Sequence, residues 1–226
     1  MYGAESTIID CEGGGRGFYF HSGESAAAIV EGFTIKNGAA DKGSGIYVYS
    51  FSSPRIQNNI IIDNTGEGIY VFSYSSPTIQ NNIITGNTDS GIVVNEHSYP
   101  TIQNNIITKN STGGNGGGIL VSTSSPMIQN NTIANNSAVH GGGGVYYSVE
   151  FGFGGIIQNN DIVANDGGGI YITGGTSPTI QDNIIRGNHD GSGIYCHSSS
   201  PTIQKNTITG NSSSYGGIYC YNSSPK

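Results

Sequence analysis

Two aspartates, Asp166 and Asp190, each stand three residues before the glycine of a recurring Gly-Ile-Tyr phrase. If the phrase marks a structural repeat, their carboxylates fall on neighbouring units, one strand spacing apart. Carboxyl groups about 5–5.5 Å apart are the geometry of retaining glycoside hydrolysis, so the pair is a candidate for acid and nucleophile. Glu67 and Asp89 belong to the same loop row, farther along the chain. Asp-Gly is also ordinary turn chemistry, so Asp166 and Asp190 equally suit a purely structural corner.

The same phrase carries an aromatic column: Tyr47, Tyr70, Tyr146, Tyr171, Tyr195 and Tyr219, interrupted by Val93 and Leu120. Two positions after each lies a second outward residue, among them Tyr49, Phe72, His197 and Tyr221. Aromatic rows on a flat surface suit sugar rings, whose C–H faces stack on them. Tyr47, Tyr49, Tyr70, Phe72, Tyr195, His197, Tyr219 and Tyr221 are therefore the carbohydrate-binding candidates. The competing explanations are tyrosine's preference for strands and its self-stacking, or a protein interface.

The remaining reactive side chains give less. His21 and His197 take equivalent outward positions seven repeats apart and cannot cooperate. His97, His140 and His189 fall in loops without a cysteine or second histidine at ligand spacing. Carboxylates spread one per repeat make no compact cage, and the Gly-Gly-x-Gly-x-Asp calcium repeat is absent, so no metal and no cofactor is expected. Cys196 and Cys220 share one inward column on adjacent repeats and read as buried thiols, with Cys11 left over.

What must position these residues is a repeat. The string Ile-Gln-x-Asn occurs seven times, ending at Asn59, Asn82, Asn105, Asn131, Asn160, Asn183 and Asn206, with steps of 23, 23, 26, 29, 23 and 23 residues. A second asparagine follows five positions later each time, from Asn64 to Asn211. A period of this size marks a solenoid whose units bury apolar faces only against their neighbours. Each unit divides into three short strands. In Gly68-Ile69-Tyr70-Val71, alternation turns Ile69 and Val71 inward and Tyr70 outward. Ser-Ser-Pro then turns the chain, and the proline opens a strand in which Ile79 points in and Gln80 out; Ile84 carries a third inward column. The asparagines suit sharp corners because asparagine tolerates the left-handed conformation. Stacked one per turn, their amides also satisfy each other in a continuous row.

Breaks in the period locate loops. Ser111 to Gly117 and Ser137 to Gly143 lengthen the same corner on adjacent units and should form one lobe. After Tyr147 the Ser-Ser-Pro phrase is missing, and Val149-Glu150-Phe151-Gly152-Phe153 stands in its place. Ser223-Ser224-Pro225 begins another repeat, so residues 1–226 read as one domain cut short at both ends, a piece of a longer protein. Such ends predict self-association, end to end or side to side.

Composition excludes several classes. The 226 residues hold 37 glycines, no tryptophan and only 10% charged residues, which suits many short strands with tight corners. Eight basic against fifteen acidic residues, without a Lys/Arg cluster, argues against a nucleic-acid partner. No run approaches the roughly 18 apolar residues of a membrane span. Met-Tyr-Gly-Ala-Glu shows no basic and apolar leader, so a secretion signal is expected to be absent or removed.

On its Ile-Gln-Asn-Asn, Thr-Gly-Asn and Gly-Ile-Tyr-Val phrases, the chain from Ser6 to Lys226 resembles the right-handed parallel β-helix repeat family, the pectate-lyase-like superfamily. The resemblance implies an all-β fold: a right-handed, single-stranded parallel β-helix, or β-solenoid, of about nine coils. It also implies an extracellular or cell-surface prokaryotic protein with polysaccharide as partner. Polygalacturonases, similar in coil shape, need N-T-D, D-D, G-H-G and R-I-K stretches, and none is expected here. Pectate lyases need an acidic calcium cluster beside a basic residue, whereas Arg55, Lys109, Arg186 and Lys205 are scattered. The D-P-H-E motif of alginate epimerases is missing. The reading is thus a non-catalytic rigid scaffold or carbohydrate-contacting surface. Its alternative is a polysaccharide lyase or glycoside hydrolase acting through Asp166 and Asp190.

Overall fold

The protein is described from a computed structural model, over residues 3–148 and 154–226. The Val149-to-Phe153 segment lies outside the described residues. Among the described residues three parallel sheets run the length of the chain, and each complete turn of the solenoid contributes one strand to each. The first sheet holds nine strands of the Gly-Ile-Tyr type, from Phe18–Phe20 through Ile69–Val71 to Ile218–Tyr221. The second holds eight of the Ile-Gln type, from Ile29–Glu31 to Thr202–Gln204. The third holds nine, from Ile8–Asp10 through Ile83–Thr85 to Thr207–Thr209. Nine coils at about 4.8 Å make a rod about 40 Å long. The described residues form no helix, and so none long and apolar enough to cross a membrane.

The expected columns are the core. Ile46, Ile69, Ile92, Ile119 and Ile194 stack in register with Val48, Val71, Val94 and Val121 two residues on, all fully buried. Ile79 and Ile84 supply the other two inward columns, also fully buried. Each residue repeats an environment already solved one coil away, which is why a short repeated phrase suffices to specify the rod.

Both asparagine rows are continuous. In the first, Asn82 Nδ2 donates to Asn105 Oδ1 at 3.0 Å and to the Ile56 carbonyl at 2.9 Å, while Asn105 Oδ1 also accepts the Asn82 backbone N–H at 3.0 Å. The second repeats this pattern, with Asn87 Nδ2 2.8 Å from Asn110 Oδ1. The left-handed corner, however, belongs to the preceding residue: Asn58, Asn81 and Asn104 have φ of 56°, 56° and 55°, and Asp63, Lys109 and Ala164 serve the second row. The two roles expected of one asparagine are thus divided between neighbours. A buried amide must hold its neighbours' polar groups, and the residue that makes the bend faces solvent, where identity is free. Lys205 at φ 55° shows this freedom.

Two further rows were not anticipated. The outward glutamines form an unbroken amide ladder from Gln57 to Gln204, with Nε2 to Oε1 distances of 2.8 to 3.0 Å. At the third corner, buried serines bridge successive coils, as when Ser98 N donates to Ser124 Oγ at 3.1 Å. Tyr147 occupies the inward valine column on the coil that lacks Ser-Ser-Pro. It is fully buried, and its hydroxyl donates to the Ser124 carbonyl at 2.9 Å.

The glycine opening each first-sheet strand is required by closeness of coils. A Cβ at Gly91 would lie 2.8 Å from Ile107 Cγ2, 2.8 Å from Asn110 Nδ2 and 2.9 Å from the Gly118 carbonyl. Gly91→Ala should therefore cost about 1–3 kcal/mol, whereas Gly113→Ala, with nothing within 4 Å, should stay within about 0.5 kcal/mol. Urea denaturation of the two variants checks the difference; equal midpoints would show that the coils can spread.

Candidate functional site

The expected lobe is present. Ser111–Thr112 and Ser137–Ala138 pair as a small parallel sheet, and His140 N reaches the Gly114 carbonyl at 3.0 Å. Beyond it the same row continues coil by coil, Ser137 to Asp166 to His189 to Ser212. Ser137, Asp166 and Ser212 of this row line one wall of an open trough of about 1120 Å³, whereas His189 does not line it. Ile170, Tyr171 and Tyr195 lie along its floor, residues 137–141 close one end and the Ser213-to-Tyr215 loop the other.

Both sequence-predicted acids line this trough, but not as a stacked pair. Asp166 pairs in register with His189, and Asp190 comes one residue later, at a corner with φ of 54°. The loop after Asn188 is one residue longer than that after Asn165, which shifts the register. His189 Nδ1 lies 3.9 Å from Asp166 Oδ1, and Ser137 Oγ donates to Asp166 Oδ2 at 3.4 Å. Glu67 and Asp89, of the same loop row, serve the backbone: Glu67 accepts from Gly43 N at 2.9 Å and Asp89 from Ser90 N at 2.8 Å. Burial raises the Glu67 carboxyl above its usual range.

The aromatic column divides into two patches. In the first, Tyr19 and Tyr47 stack at 5.2 Å, and Tyr70 meets Tyr47 edge-on at 5.6 Å. Cations cover this patch. Arg16 lies 4.9 Å from the Tyr19 centroid and 5.1 Å from that of Tyr47; Lys42 lies 4.6 Å from Phe72. Tyr70 is only 7% exposed, so it offers no open platform. Tyr49 stacks on Phe72 at 5.9 Å. A neighbouring stack of Phe51, Tyr74 and His97, with centroids 5.2 and 5.1 Å apart, escaped the sequence reading because it sits at corner positions, outside the strand alternation.

In the second patch Tyr146, Tyr171, Tyr195 and Tyr219 follow one another at 5.0, 4.4 and 5.1 Å. Rings stacked along the rod spend their faces on each other and present edges and hydroxyls outward. Sugar stacking on the flat faces, as expected from the sequence, is therefore unavailable along the inner part of the column; hydrogen bonding by phenol edges is available. Tyr215, 61% exposed, leans on Tyr219 at 4.6 Å. It bounds the trough, and no repeat periodicity marked it. His197 hydrogen-bonds Thr173 Oγ1 at 3.3 Å and meets Tyr221 at 5.4 Å; neither His197 nor Tyr219 nor Tyr221 lines the trough.

Burial and neighbouring phenols push Tyr47 and Tyr171 up to about 12. A phenol held neutral in the fold stabilises it fully below the unfolded value near 10. That contribution disappears as pH rises from about 10 through about 12, because the unfolded chain releases its protons first. A spectrophotometric titration should show a late phenolate phase in this window, with thermal stability falling across it. A single phase centred near pH 10 would contradict the packing.

Cys196 is buried, and burial raises its thiol to about 12. Cys220 stacks on it in register as a free thiol but is exposed, against the expectation of two buried thiols. Cys11 is also a free thiol. Among the described residues no three His, Cys, Asp or Glu side chains converge on a metal position.

Comparison with known families gives a match to the model for the right-handed beta helix region, over residues 2–133 and 112–226. The chain belongs to the right-handed beta helix family. No curated protein and no solved structure gives a significant match. Membership fixes the coil and its handedness. Against the expectation that no polygalacturonase stretch is present, the chain does contain one N-T-D tripeptide, Asn87-Thr88-Asp89. In this β-helix Asn87 belongs to the buried row and Thr88 Oγ1 accepts from Gly66 N at 3.1 Å. Asp89 caps Ser90. All three residues are occupied by the coil itself.

Proposed function

We propose that this β-helix is a non-catalytic rigid scaffold of an extracellular or cell-surface protein, and that it contacts carbohydrate through the trough beside the lobe. The observation that carries the reading is the meeting of phenol edges, serine hydroxyls and carboxylates along one open groove: Tyr171 and Tyr195 with Ser192, Ser213, Asp166 and Asp190. Its volume, about 1120 Å³, is at the upper end for small-molecule sites and suits an extended ligand lying along the rod. The ladders behind it hold the floor rigid, so binding orders little of the protein and costs correspondingly little.

A second reading, a glycoside hydrolase or polysaccharide lyase, draws on Asp166 and His189 facing each other across adjacent coils. A panel of neutral and acidic oligosaccharides, assayed for binding and for release of reducing ends, separates the two. The scaffold reading expects binding without release, weakened at least about tenfold by Tyr195→Ala, which removes a floor hydroxyl and its packing. Release abolished by Asp166→Asn would establish the enzyme instead.

A further inference from the structure

We infer that the trough selects glycans bearing free amino groups, such as β-linked glucosamine oligomers, and rejects polyuronides. The inference rests on the glycan-contacting reading and names its ligand class. Among the described residues no lysine or arginine lines the trough, whereas Asp166 and Asp190 both do. Lys36, Arg55, Lys109, Arg186 and Lys205, the basic side chains of the regular coils, are all absent from its lining. Arg16 and Lys42 are committed to the first aromatic patch. The chain as a whole carries a formal charge of −7, so the field around the trough opposes an approaching polyanion and favours a cation.

Local geometry indicates how the cation is held. Along the floor no aromatic face is open to an ammonium group, because Tyr171 is sandwiched between Tyr146 and Tyr195 at 5.0 and 4.4 Å; the exposed Tyr215 stands only at one end. Recognition of charge therefore falls to the carboxylates, and the phenol and serine hydroxyls are left for the ring hydroxyls of the sugar. Asp166 has two partners at long range, Ser137 Oγ 3.4 Å from Oδ2 and His189 Nδ1 3.9 Å from Oδ1, and retains acceptor capacity on both oxygens. Asp190 stands at a left-handed corner that asparagine also tolerates, so its charge can be removed without altering the bend. Ser137, Asp166, Asp190 and Ser212 line the trough on four successive coils, so successive amino groups of an oligomer along the rod would meet a polar wall throughout.

The test measures calorimetric binding of three probes to the whole chain at low salt: a glucosamine tetramer, its N-acetylated counterpart and a galacturonate tetramer. The glucosamine tetramer should bind at least about tenfold more tightly than the acetylated one, and galacturonate should not bind. Added salt should erode the preference. The double variant Asp166→Asn, Asp190→Asn should reduce glucosamine binding to the acetylated level, with its thermal midpoint unchanged as evidence of folding. If the acetylated or galacturonate tetramer binds as well as glucosamine, the ligand class is overturned while the glycan-contacting reading stands. If none of the three binds, that reading falls too.

Discussion

Asn105→Ala should cost the chain about 2–4 kcal/mol, more than the same change at the end of the row. Asn105 lies in the middle of the first asparagine row and is 1% exposed. Its Oδ1 accepts both the Asn82 backbone N–H and Asn82 Nδ2, and its Nδ2 donates to the Ile79 carbonyl at 2.9 Å and to Asn131 Oδ1 at 3.0 Å. Truncation leaves the buried Asn82 N–H without a partner, at about 1–3 kcal/mol, and weakens the satisfaction of four other groups, the Gln103 carbonyl among them, by about 1 kcal/mol in all. Asn206→Ala removes an equivalent amide from a half-buried position, where water substitutes, and should cost about 1 kcal/mol. Urea denaturation followed by far-ultraviolet circular dichroism distinguishes them. Equal losses would mean that the row is incidental to stability.

Tyr147→Ala is expected to destabilise the chain by about 3–5 kcal/mol, the range for emptying a large aromatic from a closed core. The residue fills the inward column where most other coils carry a smaller side chain such as valine, isoleucine or cysteine, at the coil whose Ser-Ser-Pro is missing. Tyr147→Phe keeps the ring and removes only the bond to the Ser124 carbonyl, for about 1 kcal/mol. Gly155 provides an independent check. A Cβ there would stand 2.5 Å from Tyr147 Oη, so Gly155→Ala should be destabilising in the natural chain and milder in the Tyr147→Phe background. Additive losses in the double variant would show that the hydroxyl and the glycine do not meet.

Much of the rod was legible from residue spacing. The columns through Ile69, Val71, Ile79 and Ile84 follow from alternation of two and a period near 23, and all are buried. The lobe at Ser111 and Ser137 followed from paired breaks in that period. Legibility failed where a side chain's partner lies on another coil at a shifted register. Asp166 and Asp190 share a dipeptide context, yet Asp166 faces His189, since one extra loop residue moves Asp190 around the corner. The aromatic candidates show the same limit. Tyr47, Tyr49, Tyr70 and Phe72 were rightly placed outward, but Arg16 and Lys42 reach them from loops that no periodicity describes.

By itself, the sequence determined the coil: three strands per turn, inward isoleucines, buried amide rows and corner residues, because each is a local choice repeated against an identical neighbour. Tertiary structure alone decided which outward residues converge. Whether tyrosines show faces or edges depends on ring-to-ring distances between coils. Whether acids meet a histidine, a backbone N–H or open solvent depends on loop register. Stacking is specified by repetition, whereas the trough is made by departures from it, and those have no second copy in the sequence against which to be read.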